Sequence, residues 1–233
     1  MKYVIYVTLS LPLGFFLGNI LVYIFNRIPA KWLCDYNEEP GEELLNTEVR
    51  MRSVPYKYIF SALFSCCLIY LSVRYGGEYA IVSSFALFVM YLAALCDWKY
   101  MIVPDELVIL LTASTIGFLP MKLRIFRELL FGFLAGVIIS LALFALGKLL
   151  FRKPGIGGAD IKLYSAIGLM TGVRGVISVF LLTTVLSGLG FFLSTVVKKG
   201  SFKDQKPLVP YMAAALTIYL VFLFNITEFK IFI

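Results

Sequence analysis

The sequence contains no histidine, and this absence excludes several kinds of chemistry. Ser-His and Cys-His nucleophile pairs, zincin-type metal sites and histidine proton relays all need an imidazole ring. Any acid–base chemistry in this protein must therefore depend on other side chains.

Cysteine is also scarce, and its spacing forms no known pattern. The four cysteines are Cys34, Cys66, Cys67 and Cys96, and no two of them form a Cys-x-x-Cys pair. Disulfide frameworks and zinc sites depend on such spacings. We therefore expect no structural zinc and no other bound metal.

Charged residues make up only 15% of the chain, whereas 61% of the residues are hydrophobic. The mean hydropathy is +0.91. A soluble domain is nearer half apolar and a quarter charged. Long apolar runs recur, and the alternating pattern of barrel strands is absent. The sequence therefore predicts an all-α, polytopic integral membrane protein that forms a single membrane-embedded domain over residues 1–233.

About eight apolar segments are long enough to be considered as transmembrane helices. They cover residues 3–25, 57–73, 79–96, 105–120, 128–147, 159–172, 175–197 and 208–227. The first is too long for a signal peptide and has no cleavage site after it, so we interpret it as a retained span. The sixth is short, which suggests a helix that is tilted or shielded by its neighbours.

The basic residues predict the orientation of these segments. With the N-terminus and C-terminus both outside, two-thirds of the 21 Lys and Arg residues fall on the cytoplasmic side. The loop at 121–128 is an exception, because it places three basic residues outside. The net charge of +7 is then explained by cytoplasmic loops, and no nucleic-acid partner is expected. The longest of these loops spans 27–56.

Two carboxylates differ from the other acidic residues, because they lie at the cytoplasmic ends of predicted spans. Asp97 ends one apolar segment and Asp160 begins another. Asp160 could be only a helix cap. Asp97 opposes the dipole of its own helix, which a purely structural helix would avoid. Carboxylates near membrane depth are candidates for function.

Two carboxylates held together can perform acid–base chemistry without histidine. Like charges at short range do not ionise together easily, so one carboxyl keeps a proton while the other acts as a base on water. This arrangement is that of the aspartic proteases. It fits a chain that has no histidine and no recognisable nucleophile–base pair.

At these residues the sequence resembles the type IV prepilin peptidases, which are Gly-x-Gly-Asp membrane aspartyl proteases related to the preflagellin peptidases. The stretch "CDWKYMIVPDEL" (96–107) is similar to their first catalytic segment, and "GGADIKLYSAIG" (157–168) to their second. The resemblance implies that Asp97 and Asp160 are catalytic. The residues that it implies for substrate binding or support are Pro104, Asp105, Gly157, Gly158, Ala159 and Lys162.

Weaker similarity extends over nearly the whole chain. "GNILVYIFNRIP" (18–29) resembles the N-terminal motif of the family, with Val22 in place of its asparagine. "PLVPYMAAA" (207–215) resembles a late Pro-Phe-Gly-Pro segment, with Val209 at the glycine position. Ala159 replaces the glycine before the second aspartate, and alanine would be strained there if that position required a positive φ.

The resemblance implies an endopeptidase that removes the basic leader from prepilin or pseudopilin precursors of type IV pili and protein secretion systems. The scissile bond would lie at the cytoplasmic boundary of the inner membrane. Many bacterial members also methylate the product with S-adenosylmethionine and carry two Cys-x-x-Cys pairs in the first loop. This loop has only Cys34. We therefore expect peptidase activity alone, with zinc-independent methylation as the second choice.

Two other kinds of protein are compatible with the same acids. A small ion- or proton-coupled transporter would use Asp97 and Asp160 as ligands, although transporters usually place such groups near the midplane. A structural subunit of a secretion machine would use them only as helix caps. The acidic stretch 35–48 could attract a basic leader, but a solvated loop is the preferred interpretation.

Overall fold

The structure, a computed structural model, describes residues 2–34, 50–122, 126–151, 156–198 and 206–224. Over these ranges every regular element is helical. The main helices are α1 (Lys2–Arg27), α2 (Tyr56–Tyr75), α3 (Gly77–Tyr100), α4 (Asp105–Lys122), α5 (Phe126–Phe151), α6 (Gly158–Lys198) and α7 (Val209–Ile218). A 3₁₀ turn, Ala30–Leu33, follows α1, and a π-helical turn, Tyr219–Leu223, extends α7.

The all-α membrane fold predicted from the composition is confirmed. Within the described residues, each predicted apolar segment corresponds to helix, and the sixth and seventh are the two arms of α6, which Gly172 divides with non-helical dihedrals (φ 73°, ψ 179°). In the part of the chain that the structure describes, five helices are long and apolar enough to cross a membrane, namely α1, α2, α3, α5 and α6. The number of spans and the N-out/C-out orientation stay predictions.

Helix α3 is the centre of the bundle. In its most apolar window 78% of the residues are buried, whereas the other four candidate spans are between 22% and 39% buried. It packs against α1, α2, α4 and α7. Asp97, in the last turn of α3, is buried, so its side chain lies inside the protein and not at its lipid-facing surface.

Small residues allow two pairs of helices to pack closely. A Cβ atom on Gly18 of α1 would overlap the backbone of Ser61 in α2. In α5, a Cβ atom on Gly132 or Gly136 would overlap the backbone of α6 at Gly168 or Tyr164, respectively. Close backbone approach of this kind is a main source of helix association in lipid. The second pair fixes the first arm of α6, which carries Asp160.

The described ends of the loop at 27–56 belong to the core. Leu33 and Met51 are buried. The side chain of Asn26 at the end of α1 donates to the carbonyl oxygen of Met51 (3.1 Å) and accepts from its N–H (2.8 Å). This segment is thus tied to α1 on both sides of the acidic stretch 35–48, which lies outside the described residues. Residues 123–125 of the predicted outer loop lie outside them too.

Candidate active site

Asp97 lies in the last turn of α3 and is 9% exposed. Its carbonyl oxygen accepts a bond from the N–H of Met101, the left-handed residue (φ 56°) that ends the helix. Its carboxylate Oδ2 accepts a hydrogen bond of 2.9 Å from the backbone N–H of Val209. The carboxylate is therefore fixed by a segment that is distant in the sequence.

The sequence around Val209 explains why this N–H is available. Helix α7 begins at Val209, and Pro210 lies in its first turn, where the missing N–H of proline has no cost. The first N–H groups of a helix have no partner inside it. Asp97 supplies one from outside. The carboxylate that opposes the dipole of α3 is thus stabilised at the positive end of α7.

Asp160 lies in the first turn of α6 and is half-buried. Its Oδ2 accepts a hydrogen bond of 2.9 Å from the backbone N–H of Gly157, the residue before the helix. A side chain that reaches back in this way performs half of a capping box. The capping role considered for Asp160 is therefore real, and it fixes the carboxylate at the helix end.

The two carboxylates come from the ends of different helices, and Asp160 is close enough to Asp97 for their charges to interact. Among the described residues, neither carboxylate forms a salt bridge with a basic side chain, and the bonds at both come from backbone N–H groups. Two carboxylates with no neutralising cation can share a proton, and such a pair can act as acid and base on water.

The glycine-rich turn before Asp160 leaves space next to the pair. Gly157 and Gly158 are exposed, and a Cβ atom on Gly158 would meet no atom within 4 Å. Ala159 is part of the helix, and among the described residues the only non-glycine residue with positive φ is Met101. Alanine is therefore unstrained at position 159, so the departure from Gly-x-Gly-Asp has no backbone cost there.

The remaining predicted site residues couple the two motifs on the other side of α6. Pro104 precedes α4, and Asp105 at its start receives an ion pair from Lys162, with Nζ–Oδ distances of 2.6 and 2.9 Å. Residues two apart on a helix point about 200° apart, so Lys162 faces away from Asp160. A groove of about 630 Å³ continues from this ion pair between α4 and α6. The ion pair between Lys162 and Asp105 therefore links the two motifs, and none of the described contacts of these residues is with the carboxylates of Asp97 or Asp160.

Sequence reasoning missed the donor to Asp97 and the structure around it. The sequence predicts an apolar helix from residue 208, with two prolines near its start, but it does not indicate that the first N–H of this helix meets Asp97. Arg50 lies in the loop at 27–56, where the sequence indicates only one of several basic residues. It is buried, its guanidinium donates to the carbonyl oxygen of Ile28, and its own carbonyl oxygen accepts from Lys99. No spacing in the sequence indicates this contact.

Residues 84–193 match the family model of the type IV leader peptidase family. The protein is type IV prepilin peptidase-like. This confirms the resemblance recognised in the two aspartate motifs, both of which lie inside the matched residues. The match supports a protease of the leader-peptidase type in a membrane. No curated protein and no solved structure has significant similarity to this chain.

Proposed function

We propose that this prepilin peptidase-like protein is an aspartyl endopeptidase that removes the basic leader from prepilin or pseudopilin precursors. Asp97 and Asp160 act together on water at the cytoplasmic boundary of the inner membrane. The observation that carries the proposal is the convergence of the two carboxylates. They come from the ends of different helices, interact through their charges and lack a basic partner among the described residues.

In the proposed reaction, one carboxylate removes a proton from water as the water oxygen attacks the scissile carbonyl carbon. The other, protonated, gives its proton to the carbonyl oxygen. The C–N bond of the tetrahedral intermediate then breaks, and the leaving amine takes a proton from the first carboxyl group. The second carboxylate takes its proton back from a hydroxyl group of the intermediate, which becomes the new carboxylic acid. Both acids exchange protons during a cycle, so neither role belongs to one residue alone.

The exposed glycines offer a place for the substrate backbone. A precursor has a basic leader followed by an apolar helix, so its scissile bond lies where the helix leaves the lipid. Asp97 and Asp160 also lie at helix ends, in the last turn of α3 and the first turn of α6. The open side of Gly158 allows an extended backbone to approach Asp160 without a clash.

The test is cleavage of a synthetic peptide, with a basic leader and an apolar helix, by purified protein in detergent. We expect Asp97→Asn and Asp160→Asn each to reduce cleavage by at least about 1,000-fold, within the range for general acid–base groups. Glu78→Gln, at an exposed acid in the first turn of α3, is the matched control. Full activity in either aspartate variant excludes the pair. Proton or cation flux without cleavage would establish the transporter instead.

We further propose that the site faces the cytoplasm. Ser53 is exposed near the start of α2, on the side where the basic residues concentrate. A membrane-impermeant maleimide should label Ser53→Cys in inverted vesicles and leave it unlabelled in right-side-out vesicles. The opposite pattern reverses the orientation. Cysteine-free protein with the same substitution removes the contribution of the native thiols.

The proposed activity needs neither zinc nor S-adenosylmethionine. Chelators should leave cleavage unchanged, and mass spectrometry of the product after incubation with S-adenosylmethionine should show an unmodified N-terminal amine. A methylated amine would show that methyl transfer does not depend on a cysteine-rich loop. The metal content of the purified full chain is measured in parallel, before and after the chelator. This measurement distinguishes a metal that the chelator removes from a metal that the protein does not bind.

A further inference from the structure

A second concave site lies between α1 and α2, outside the matched residues. It is a groove of about 550 Å³. Its lining residues include Phe16, Ile20, Tyr23, Arg27 and Lys57. The groove is apolar at one end and cationic at the other, because Phe16 and Ile20 lie well inside α1 whereas Arg27 ends it.

The two cations are at the same end of the helix pair. Arg27 is the last residue of α1 and Lys57 is the second of α2. The antiparallel packing of Gly18 on Ser61 aligns these ends. Among the described residues, neither cation forms an ion pair with a carboxylate. Each instead lies over a tyrosine ring, with Arg27 5.0 Å from the centroid of Tyr23.

Exposed aromatic side chains at this end are typical of a membrane–water boundary. Tyr23, Tyr58 and Trp98 are each more than half exposed, and the ring of Tyr56 is 6.3 Å from that of Trp98. Tyrosine and tryptophan concentrate at the headgroup level of a bilayer. The cations of the groove therefore lie at headgroup level, and its apolar wall extends into the hydrocarbon region.

We propose that this groove binds one anionic phospholipid. The phosphate contacts Arg27 and Lys57, and an acyl chain lies along α1 toward Phe16. From Phe16 to Arg27 the helix rises about 16 Å, which is comparable with the length of an acyl chain. Free phosphate would use only the cationic end, and a zwitterionic lipid would bring its own positive charge there. The amphipathic shape of the groove thus selects a lipid with net negative charge.

The lipid would border the candidate active site. Trp98 follows Asp97 directly and packs on Tyr56, which precedes Lys57. A headgroup bound at Lys57 is therefore on the same membrane face as the carboxylates. This inference does not depend on the peptidase activity, since binding is measured without substrate.

The test is native mass spectrometry of delipidated, full-length protein titrated with phosphatidylglycerol, phosphatidylcholine or inorganic phosphate. We expect one phosphatidylglycerol to bind with clear preference over phosphatidylcholine. Arg27→Gln/Lys57→Gln should weaken it by about 30-fold, since each cation near a membrane surface contributes about fivefold. The matched control is Arg74→Gln/Lys148→Gln, which removes the same charges from exposed sites elsewhere and should change binding by less than about threefold.

A second variant tests the apolar wall and does not alter charge. Ile20→Trp fills the groove. It should weaken the binding of phosphatidylglycerol, while circular dichroism shows the same helix content as in the unchanged protein. Equal weakening by both charge pairs would mean general surface attraction and overturn the proposal. Phosphate binding that displaces the lipid and is unaffected by Ile20→Trp would show a phosphate site instead. Unchanged lipid binding in both groove variants would also overturn it.

Discussion

The two aspartates of the candidate site are held in different ways. Asp160 accepts its hydrogen bond from Gly157, three residues earlier, so its position follows from the start of its own helix. Asp97 accepts its bond from Val209, which is 112 residues away in the sequence. Asp160 is half-buried beside exposed glycines, whereas Asp97 is almost fully enclosed.

The position of Asp160 therefore depends on local contacts, whereas the position of Asp97 depends on tertiary contacts. The geometry at Asp160 is set by nearest neighbours and can form as soon as α6 begins. The geometry at Asp97 requires that α3 and α7 be packed together. A buried acceptor also depends more on the groups that donate to it, because water does not replace such a bond easily. We therefore expect the site to be more sensitive to changes at α7 than to changes in the glycine-rich turn.

The largest expected effect comes from removing both carboxylates. This change tests whether the two aspartates, although they are held in different ways, act in the same reaction. If the carboxylates act as a unit, the Asp97→Asn/Asp160→Asn double variant should be no slower than either single variant, because groups that act together are not additive. Single-turnover cleavage rates measure this. If the loss of rate in the double variant equals the product of the two single losses, the aspartates contribute independently and do not act as a unit.

The next largest effect concerns the bond from α7 to Asp97. Val209→Pro removes the N–H at the first residue of the helix, where proline is usually tolerated. A hydrogen bond to a charged group contributes about 1.5–3 kcal/mol, so kcat/KM should fall by about 10- to 150-fold. Val209→Ala keeps the N–H and is the control.

Proline at this position has a structural cost that must be measured as well. Leu208 has helical dihedrals (φ −99°, ψ −33°), which a following proline disfavours. Thermal unfolding of both variants in detergent gives the folded fraction at the assay temperature. Equal activity of folded Val209→Pro and Val209→Ala protein would show that the bond does not position Asp97.

The sequence was sufficient for the helices and for the local half of the site. Long apolar runs predicted where helices lie, and Asp160 at a helix start followed from the turn before it. The kink at Gly172 separates the two predicted segments of α6 where expected. These features depend on neighbours in the chain, and periodicity and capping rules describe such neighbours.

The sequence was not sufficient for contacts between distant segments. Nothing in the pattern around Val209 states which side chain its N–H meets, and a buried Arg50 cannot be distinguished from an exposed loop arginine by spacing. The strain that alanine would have at a positive φ is also absent at Ala159, because this position has ordinary helical dihedrals. Such facts depend on how helices pack, and many packings satisfy the same apolar pattern.

A smaller effect is expected at Asp160, which is the other half of the comparison. Gly157→Pro removes its donor, but water can replace a bond at a half-exposed carboxylate. A hydrogen bond with a net contribution of about 0.5–1.5 kcal/mol corresponds to a loss of about 2- to 10-fold in kcat/KM. Gly157→Ala retains the N–H, and its Cβ would lie 3.5 Å from Oδ2 of Asp160, which is an ordinary contact. A loss greater than that of Val209→Pro would contradict the difference proposed between the two anchors.

The smallest effect should come from the ion pair behind the site. Lys162 and Asp105 are close, but their side chains are 52% and 38% exposed, and exposed ion pairs contribute at most about 1 kcal/mol. A double-mutant cycle with Lys162→Met and Asp105→Asn should therefore give a coupling below about 1 kcal/mol in thermal unfolding. Cleavage should fall by less than about fivefold in each single variant, since Lys162 points away from Asp160 and a loss of 1 kcal/mol is about a fivefold change. A loss as large as that of the aspartate variants, in protein that unfolds normally, would place Lys162 or Asp105 in contact with the substrate. The two motifs would then be joined through the bound peptide as well as through the ion pair.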